Sequence, residues 1–305
     1  MKLIAQATLP NTLDVKVPEG MYRKLVFCYV GTAGAGATML LGDLGSILVT
    51  YRGRQIQRIA DVTWLRAIND MEDGVSDVTS AIGAAYSFEV TLNQFFRKDS
   101  YNVLDVREDD NCRIQCIPAA SMAAKLGSGM LSVYGVLAKG NQAYIRQLFQ
   151  HDINISASTI PEKLPYENLK CIFVENDATN LTRLQVNVDN MNVVDAPRLA
   201  LLDNTHKEYN IETFAAASPL LGVQLAPTHN LVECLNDQTS LIITGAGVAV
   251  LSTVAECIDF TPDAYNRSKQ ATLAAYNAAV ARKSALGKTR PVRYLAGDVF
   301  NVPLY

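Results

Sequence analysis

Histidine and tryptophan are scarce in this 305-residue chain, which has three histidines and one tryptophan. His151, His206 and His229 have no second histidine or cysteine at a spacing typical of zinc sites. The G-x-S-x-G motif of a serine nucleophile is also missing. We therefore expect a protein that is not an enzyme and that carries no cofactor.

Long apolar runs are lacking as well, since none approaches the roughly 20 residues that a membrane-spanning helix needs. The best candidate, 241–254, is interrupted by Gly245 and Gly247 and is better read as two strands. Met1 and Lys2 lead directly into a short strand-like segment, so we expect no signal peptide. The net charge of -3 and the lack of aromatic residues interleaved with basic ones predict no direct contact with nucleic acid.

The glycine-rich stretch 31–38, GTAGAGAT, does not have the features of a phosphate-binding loop. It lacks the Lys-Ser/Thr of a P-loop, and its glycine spacing differs from G-x-G-x-x-G. No convincing helix N-terminus follows it. We read it as a loop between strands.

Six cysteines are present, and five of them lie in strand-like runs: Cys28, Cys112, Cys116, Cys171 and Cys257, with Cys234 elsewhere. Cys112 and Cys116 would be about 13 Å apart along a strand, which is too far for a disulfide. We expect all six to be reduced, in keeping with assembly in a cytosol.

The dominant period of the chain is two, which predicts strands with one wet and one dry face. This alternation covers residues 86–92, 153–157 and 184–188. Other short runs are apolar on both faces and suit central strands: 25–30, 171–174 and 241–243. Because turn residues separate many such strands, the sequence predicts β-sandwiches.

One unit of the chain occurs twice, at 47–70 and at 184–204. Each copy reads as a strand, a turn and a short helix. The turns, at 52–54 and at 189–190, align at an offset of 137, whereas Asp61 aligns with Asp195 at an offset of 134. The first copy would thus have three extra residues. Either the fold is duplicated or two generic sandwiches have converged.

Few helices are expected besides the two in the repeat, at 60–71 and 196–204. A third covers 119–126 and ends at Gly127. A long one starts at Thr261, where Thr-Pro-Asp forms a good N-terminus, and runs through Leu286.

Two groups of charged residues are candidate sites. Glu108, Asp109 and Asp110 could bind Ca²⁺, or could be solvated turn acids. The segment from 261 onward has seven basic and two acidic residues, which favours an acidic neighbour or is simply a solvated end. Its candidate contact residues are Arg282, Lys283, Lys288, Arg290 and Arg293.

The stretches LPNTLDVKVPEG, YRKLVFCYVG and ILVTYRGRQIQRIADVTWLRAIND together resemble the first jelly roll of a viral family. These are the major capsid proteins of tailless, icosahedral bacteriophages with an internal membrane, of the corticovirus type or the lipid-containing Flavobacterium type. AYIRQLFQHDINISASTIPEKLP, LTRLQVNVDN and PRLALLDN resemble the opening of the second jelly roll. The similarity covers about half of the chain and contains no diagnostic motif.

This resemblance implies a mainly all-β fold of two consecutive eight-stranded antiparallel jelly-roll sandwiches with short helices, to which the sequence adds the long C-terminal helix. The expected division is 1–139, 140–260 and a basic helix and tail at 261–305. The resemblance implies trimeric pseudo-hexagonal capsomers that form an icosahedral shell around a membrane. Implied partners are further copies, penton and minor capsid proteins and, through the tail, the inner membrane. The implied location is the virion capsid, assembled in the host cytoplasm.

Two other classes remain as alternatives. A two-domain carbohydrate-binding or adhesin protein would share the β-sandwiches, but it would be expected to have a signal peptide and an aromatic binding platform. A cupin-type enzyme would need clustered histidine and carboxylate ligands, which three scattered histidines do not offer.

Overall fold

A computed structural model gives the structure of the protein, which is built mainly of strands. It describes residues 1–74, 81–92, 102–140, 142, 144–155, 161–189, 191–209, 211, 219–225, 238–245 and 249–260. The strands of the first half are β1 (Lys2–Thr8), β2 (Leu13–Lys16), β3 (Gly20–Ala33), β4 (Ser46–Tyr51), β5 (Arg54–Ile59), β6 (Ala85–Thr91), β7 (Leu104–Val106), β8 (Arg113–Ile117) and β9 (Leu126–Leu137). Those of the second half are β10 (Tyr144–Ile155), β11 (Glu162–Leu164), β12 (Leu169–Glu175), β13 (Leu181–Val188), β14 (Met191–Pro197), β15 (Leu220–Gln224), β16 (Thr239–Gly245) and β17 (Ala249–Phe260).

Helices in the described part of the chain are short. They are α1 (Val62–Glu72), α2 (Met122–Lys125), α3 (Arg198–Glu208) and single 3-10 turns at Leu41–Leu44 and Glu108–Asp110. None of the described helices is long and apolar enough to cross a bilayer.

The strands form two sandwiches with the same internal order. In the first sandwich, the sheet β1-β9-β3-β6, with β7 beside β3, packs on β2-β8-β4-β5. In the second, β10-β17-β12-β15 packs on β11-β16-β13-β14. Without β7, each sandwich has eight strands, which can be counted from first to eighth in chain order. In both sandwiches the order is first-eighth-third-sixth in one sheet and second-seventh-fourth-fifth in the other. The two halves of the chain therefore share one topology.

The two sandwiches are joined through a single eight-stranded sheet, because β5 pairs with β10. This pairing is parallel, with Gln57 opposite Leu148 and Arg58 opposite Phe149. Leu148 belongs to the core of the first sandwich, whereas Phe149 packs on the core of the second. Since neighbouring side chains of a strand point to opposite faces, the two cores lie on opposite faces of the shared sheet.

The core of the first sandwich extends over the second half of the chain. Buried residues of β10, β12, β15, β17 and the segment after α3 belong to it: Ile145, Leu148, Cys171, Phe173, Tyr209, Ile211, Leu220 and Val254. The second sandwich thus has its own core on one face of its first sheet and helps to complete the other core on the opposite face.

The repeated unit predicted from the sequence is confirmed as the hairpin β4–β5 followed by α1, and the hairpin β13–β14 followed by α3. Tyr51 pairs with Arg54 and Val188 with Met191, so both hairpins have two-residue turns at the predicted offset of 137. Positive φ angles at Arg52 (52°) and Gly53 (76°) fit a type I′ turn.

The predicted helix alignment was wrong. Helices α1 and α3 each have 11 residues and begin at Val62 and Arg198, an offset of 136. The first copy therefore has one extra residue before the helix instead of three. Asp61 caps α1, and its counterpart is Pro197 at the N-terminus of α3, while Asp195 lies within β14. The alignment was misled because it matched Asp61 with Asp195, although the first residue caps a helix and the second lies in a strand.

Three other predictions have different outcomes. The two strands expected within 241–254 are confirmed as the end of β16 and the start of β17. The helix predicted at 119–126 has only four residues, because β9 already begins at Leu126, which pairs with Ala33 of β3. The long helix from Thr261 to Leu286 lies outside the described residues.

Candidate functional site

Four charged side chains are buried together where the two sandwiches meet. Arg146 on β10, Glu72 at the end of α1 and Glu256 on β17 are each 3% exposed or less. Lys170 on β12 is also fully buried. We call these four residues the junction network. They come from both sandwiches, and Arg146 lies on the same face of β10 as Leu148, on the side of the first core.

Arg146 is the centre of the junction network. Its Nε donates to Glu256 Oε1 at 2.5 Å, and its guanidinium pairs with both carboxylate oxygens of Glu72. Nη1 also donates to Thr91 Oγ1 of β6 at 2.6 Å. Nearby, the buried Gln57 of β5 donates to the Thr91 carbonyl at 2.7 Å. One arginine therefore ties a helix and a strand of the first sandwich to two strands of the second.

Burial sets the electrostatics of the network. It raises the pKa of Glu72 to about 7, with Arg146 opposing the rise and Glu256 adding to it. Burial acts to lower the pKa of Arg146, but the carboxylates of Glu256 and Glu72 outweigh this effect and raise it. Because Arg146 stays charged, breaking either pair would leave an uncompensated charge in the protein interior.

The four side chains of the network are buried, so none of them lies open at the surface. Buried ion pairs seldom add much stability over apolar residues of the same shape, but they penalise alternative packings in which the partners separate. This arrangement can fix the position of one sandwich on the other.

Sequence reasoning did not identify the junction network. Lys170 directly precedes the apolar run 171–174, Glu256 stands next to Cys257 of a strand-like run, and Arg146 lies outside the alternating runs, so none of the three was singled out. A single charge within a run that is apolar on both faces is the signal that could have revealed it, because such a charge must find a buried partner.

The predicted calcium ligands have separate environments. Glu108 and Asp109 are exposed, whereas Asp110 is buried. Asp110 accepts hydrogen bonds from Arg52 Nε at 2.6 Å, Tyr51 Oη at 3.1 Å and the Arg107 amide at 2.8 Å. Burial acts to raise the pKa of Asp110, but these bonds outweigh it and hold the pKa below its usual value.

The calcium site at these acids stays a prediction. To bind the ion, Asp110 would have to release its hydrogen bond from Arg52. Among the described residues, no group of three or more histidine, cysteine, aspartate or glutamate side chains could hold a metal ion. The basic residues of the tail, Arg282, Lys283, Lys288, Arg290 and Arg293, lie outside the described residues.

Five cysteines are free thiols, as predicted, and Cys234 lies outside the described residues. Cys112 lies one residue before β8, not inside a strand. Burial raises the pKa of Cys112 and of Cys116 to about 12, so neither thiol is reactive near neutral pH.

Three solved structures of viral proteins are similar to this chain over most of its length. The major capsid protein P2 of bacteriophage PM2 superposes with a TM-score of 0.58 over 84% of this chain and 98% of its own, at 11% identity. The major capsid protein of STIV superposes with a TM-score of 0.58 over 87% and 98%, at 12% identity. A structure of Sulfolobus turreted icosahedral virus gives 0.57 over 85% and 91%, also at 12% identity.

The chain has the double jelly-roll fold. Two observations support this assignment. Both sandwiches have the same strand order, and the match covers nearly the whole of the PM2 and STIV chains. No protein-family model matches the sequence, and no curated protein matches it either. The double jelly roll is thus recognised by its topology, and identities of 11% and 12% extend the likeness no further than the fold.

Proposed function

We propose that this chain is the major capsid protein of an icosahedral virus with an internal membrane. The observation that carries the proposal is the pair of sandwiches of identical strand order, fused through one sheet, in a chain that superposes on nearly the whole of the PM2 and STIV capsid proteins. A shell subunit works by self-association, so the proposal assigns no catalytic step.

In this proposal the capsomer is a homotrimer. Three copies of a double jelly roll present six similar sandwiches around a three-fold axis, which gives a pseudo-hexagonal outline that can tile a shell. The chain would be divided into sandwiches at 1–139 and 140–260 and a basic tail at 261–305. Assembly would take place in the host cytoplasm, with penton and minor capsid proteins completing the virion.

The test is the mass of the purified protein. Light scattering after size exclusion should give three times the chain mass of 33.2 kDa, and electron microscopy should show particles with a six-sided outline. A protein that remains monomeric over the accessible concentration range would contradict the proposal.

We also propose that the basic tail faces the inner membrane. Each lysine or arginine near an anionic surface contributes on the order of 1 kcal/mol, and five basic residues stand between 282 and 293. A chain ending at residue 260 should still form trimers but should fail to yield membrane-containing particles. Normal virions from the shortened gene would refute this role.

A further inference from the structure

The edges of the described sheets are mostly short or capped. The edge strands β2, β7 and β11 have only three or four residues, and such short edges offer little backbone for pairing. Asn69 and Gln57 donate side-chain hydrogen bonds to backbone carbonyls of β6. On β15, the Thr205 hydroxyl of α3 bonds both the amide and the carbonyl of Gly222. The fold therefore closes most of the edges at which another strand could add.

Strands β1 and β14 are the exceptions. Each has seven residues and ends its sheet, and in the part of the chain that the structure describes no strand pairs with its outer edge. Every residue of the two strands is at least partly exposed. A long exposed edge presents a row of backbone amides and carbonyls that can pair with another strand. Among the described strands, these two edges are open to pairing.

The counterpart of β14 in the first sandwich is β5, which is not an edge. The hairpins β4–β5 and β13–β14 match residue by residue at an offset of 137, and even the bulge is shared, at Ile56 and at Val193. Strand β5 is covered by β10, the first strand of the second sandwich. The same edge of the same hairpin is therefore paired in the first sandwich and open in the second.

The counterpart of β1 in the second sandwich is β10, since each is the first strand of its sandwich and pairs with the eighth. Bulges in β3 and β12 mark Leu137 of β9 and Cys257 of β17 as counterparts. Two residues earlier along β9 and β17, the partners are Lys2 in β1 and Phe149 in β10. Lys2 therefore occupies the position of Phe149.

We propose that β14 of one subunit pairs in parallel with β1 of a second copy, as β5 pairs with β10 within the chain. The contact inside the chain shows which element covers the edge of a fifth strand, namely the first strand of another sandwich. For β14 the open first strand is β1, and because the two are not paired within one chain, β1 must come from another copy. Such a contact is head-to-tail, and three of them join three chains into one ring of alternating sandwiches. The inference rests on the proposed trimer.

The register of the contact inside the chain predicts which residues meet between copies. Arg58 of β5 lies opposite Phe149 of β10. Their counterparts are Asp195 and Lys2, which would lie side by side with opposite charges. Opposite charges at directly neighbouring strand positions favour a pairing, and like charges oppose it.

Exposed apolar residues support the same contact. Met1 is 78% exposed and Val193 is 48% exposed. Their counterparts, Leu148 and Ile56, are both buried in the first core. The pairing between copies would thus cover apolar side chains at positions that the β5–β10 contact already covers within the chain.

Cysteines at the predicted pair test the contact. Paired residues of neighbouring strands are about 5 Å apart, within the range that a disulfide spans. Mild oxidation of Lys2→Cys/Asp195→Cys should give covalent dimers and trimers on a non-reducing gel, whereas the wild type and each single variant should run as monomers. A link that keeps the mass of one chain would show that β1 and β14 meet within a chain and would overturn the proposal.

The matched control moves one cysteine along β1. Thr8→Cys/Asp195→Cys keeps an exposed position on the same strand, but Thr8 is six residues from Lys2, which is roughly 20 Å along a strand. It should give no covalent trimer. Equal cross-linking of the two pairs would contradict the parallel register.

Charge reversal tests the same pair without cysteine. Asp195→Lys sets two lysines side by side and should raise the concentration at which the trimer dissociates several-fold. Adding Lys2→Asp should restore the wild-type value. Asp195 also accepts a hydrogen bond from Arg183 Nε at 2.6 Å, so a loss without this rescue would assign the effect to that bond and contradict the pairing.

The outcomes separate this inference from the proposed function. A wild type that is monomeric in light scattering would contradict the trimer itself. A wild-type trimer whose Lys2→Cys/Asp195→Cys variant gives no cross-link would contradict only this strand pairing.

Discussion

Arg146 shows how much can depend on a single side chain in this molecule. It is fully buried, it contacts Glu72, Glu256 and Thr91, and these partners come from three different elements. Isolated charges in a protein interior are so costly that the arginine and its carboxylates stabilise the structure only as a set.

Replacing Arg146 with methionine should therefore lower the free energy of unfolding by about 3–5 kcal/mol, since two buried carboxylates lose their partner. Urea denaturation would measure the loss. Arg58→Met is a suitable control, because Arg58 is exposed on the neighbouring strand β5 and should change stability by roughly 0.5 kcal/mol or less. Equal effects of the two substitutions would contradict the role of the junction network.

Glu72 should make stability depend on pH. Its pKa is about 7 in the folded protein against an ordinary value of 4.5, so the folded state holds the proton more tightly. The contribution of Glu72 is most favourable below about pH 4.5 and is lost as the pH rises through 7. Relative to Glu72→Gln, the wild type should lose on the order of 3 kcal/mol over this range.

The control for this pH dependence is Glu208→Gln. Glu208 occupies the last position of α3, as Glu72 does in α1, but it is exposed. This variant should follow the wild-type curve of stability against pH. A wild-type curve parallel to that of Glu72→Gln would contradict the shifted pKa.

The pairing of residues within the junction network could not be predicted from the sequence, for a physical reason. Arg146 is 74 residues from Glu72 and 110 from Glu256. Hydrophobic periodicity reports which face of a strand is dry, but not which distant strand covers that face. The pairing of β5 with β10 decides it, and nothing local to either strand specifies that pairing.

At the scale of elements, the hairpin followed by a helix was predictable in both copies because its signals are local. A two-residue turn flanked by alternating strands, followed by apolar residues at helical spacing, specifies the unit without long-range information. The start of α3 was misjudged, since Pro197 leaves the helix without a side-chain cap that could mark its first turn.

The cap of α1 gives a prediction at this scale. Asp61 Oδ1 accepts a hydrogen bond from the Thr63 amide at 2.8 Å. Asp61→Ala should lower the free energy of unfolding by about 0.5–2 kcal/mol, because an amide of the first turn loses its partner. Asp61→Ser keeps an acceptor and should recover most of the loss in thermal denaturation. If alanine and serine behave alike, the cap contributes nothing.

At the scale of the whole molecule, the two sandwiches should unfold as one unit. The first core includes residues from β10, β12, β15 and β17, so loss of the second sandwich would expose it. Calorimetry should show one transition. Leu65→Ala in the first core and Ile153→Ala in the second should both shift it downward. Two resolved transitions, with Ile153→Ala moving only one, would show independent sandwiches.

The parallel contact between β5 and β10 also has a consequence for the order in which the chain is made. Until β10 leaves the ribosome, β5 is an open sheet edge and Glu72 has no arginine partner. Translation of the residues from Ile59 to Ile155 takes on the order of ten seconds at typical rates of protein synthesis. During that interval the nascent chain has an unpaired strand edge, which can pair with another nascent chain. A delay between the two halves of translation would therefore favour aggregation over productive folding.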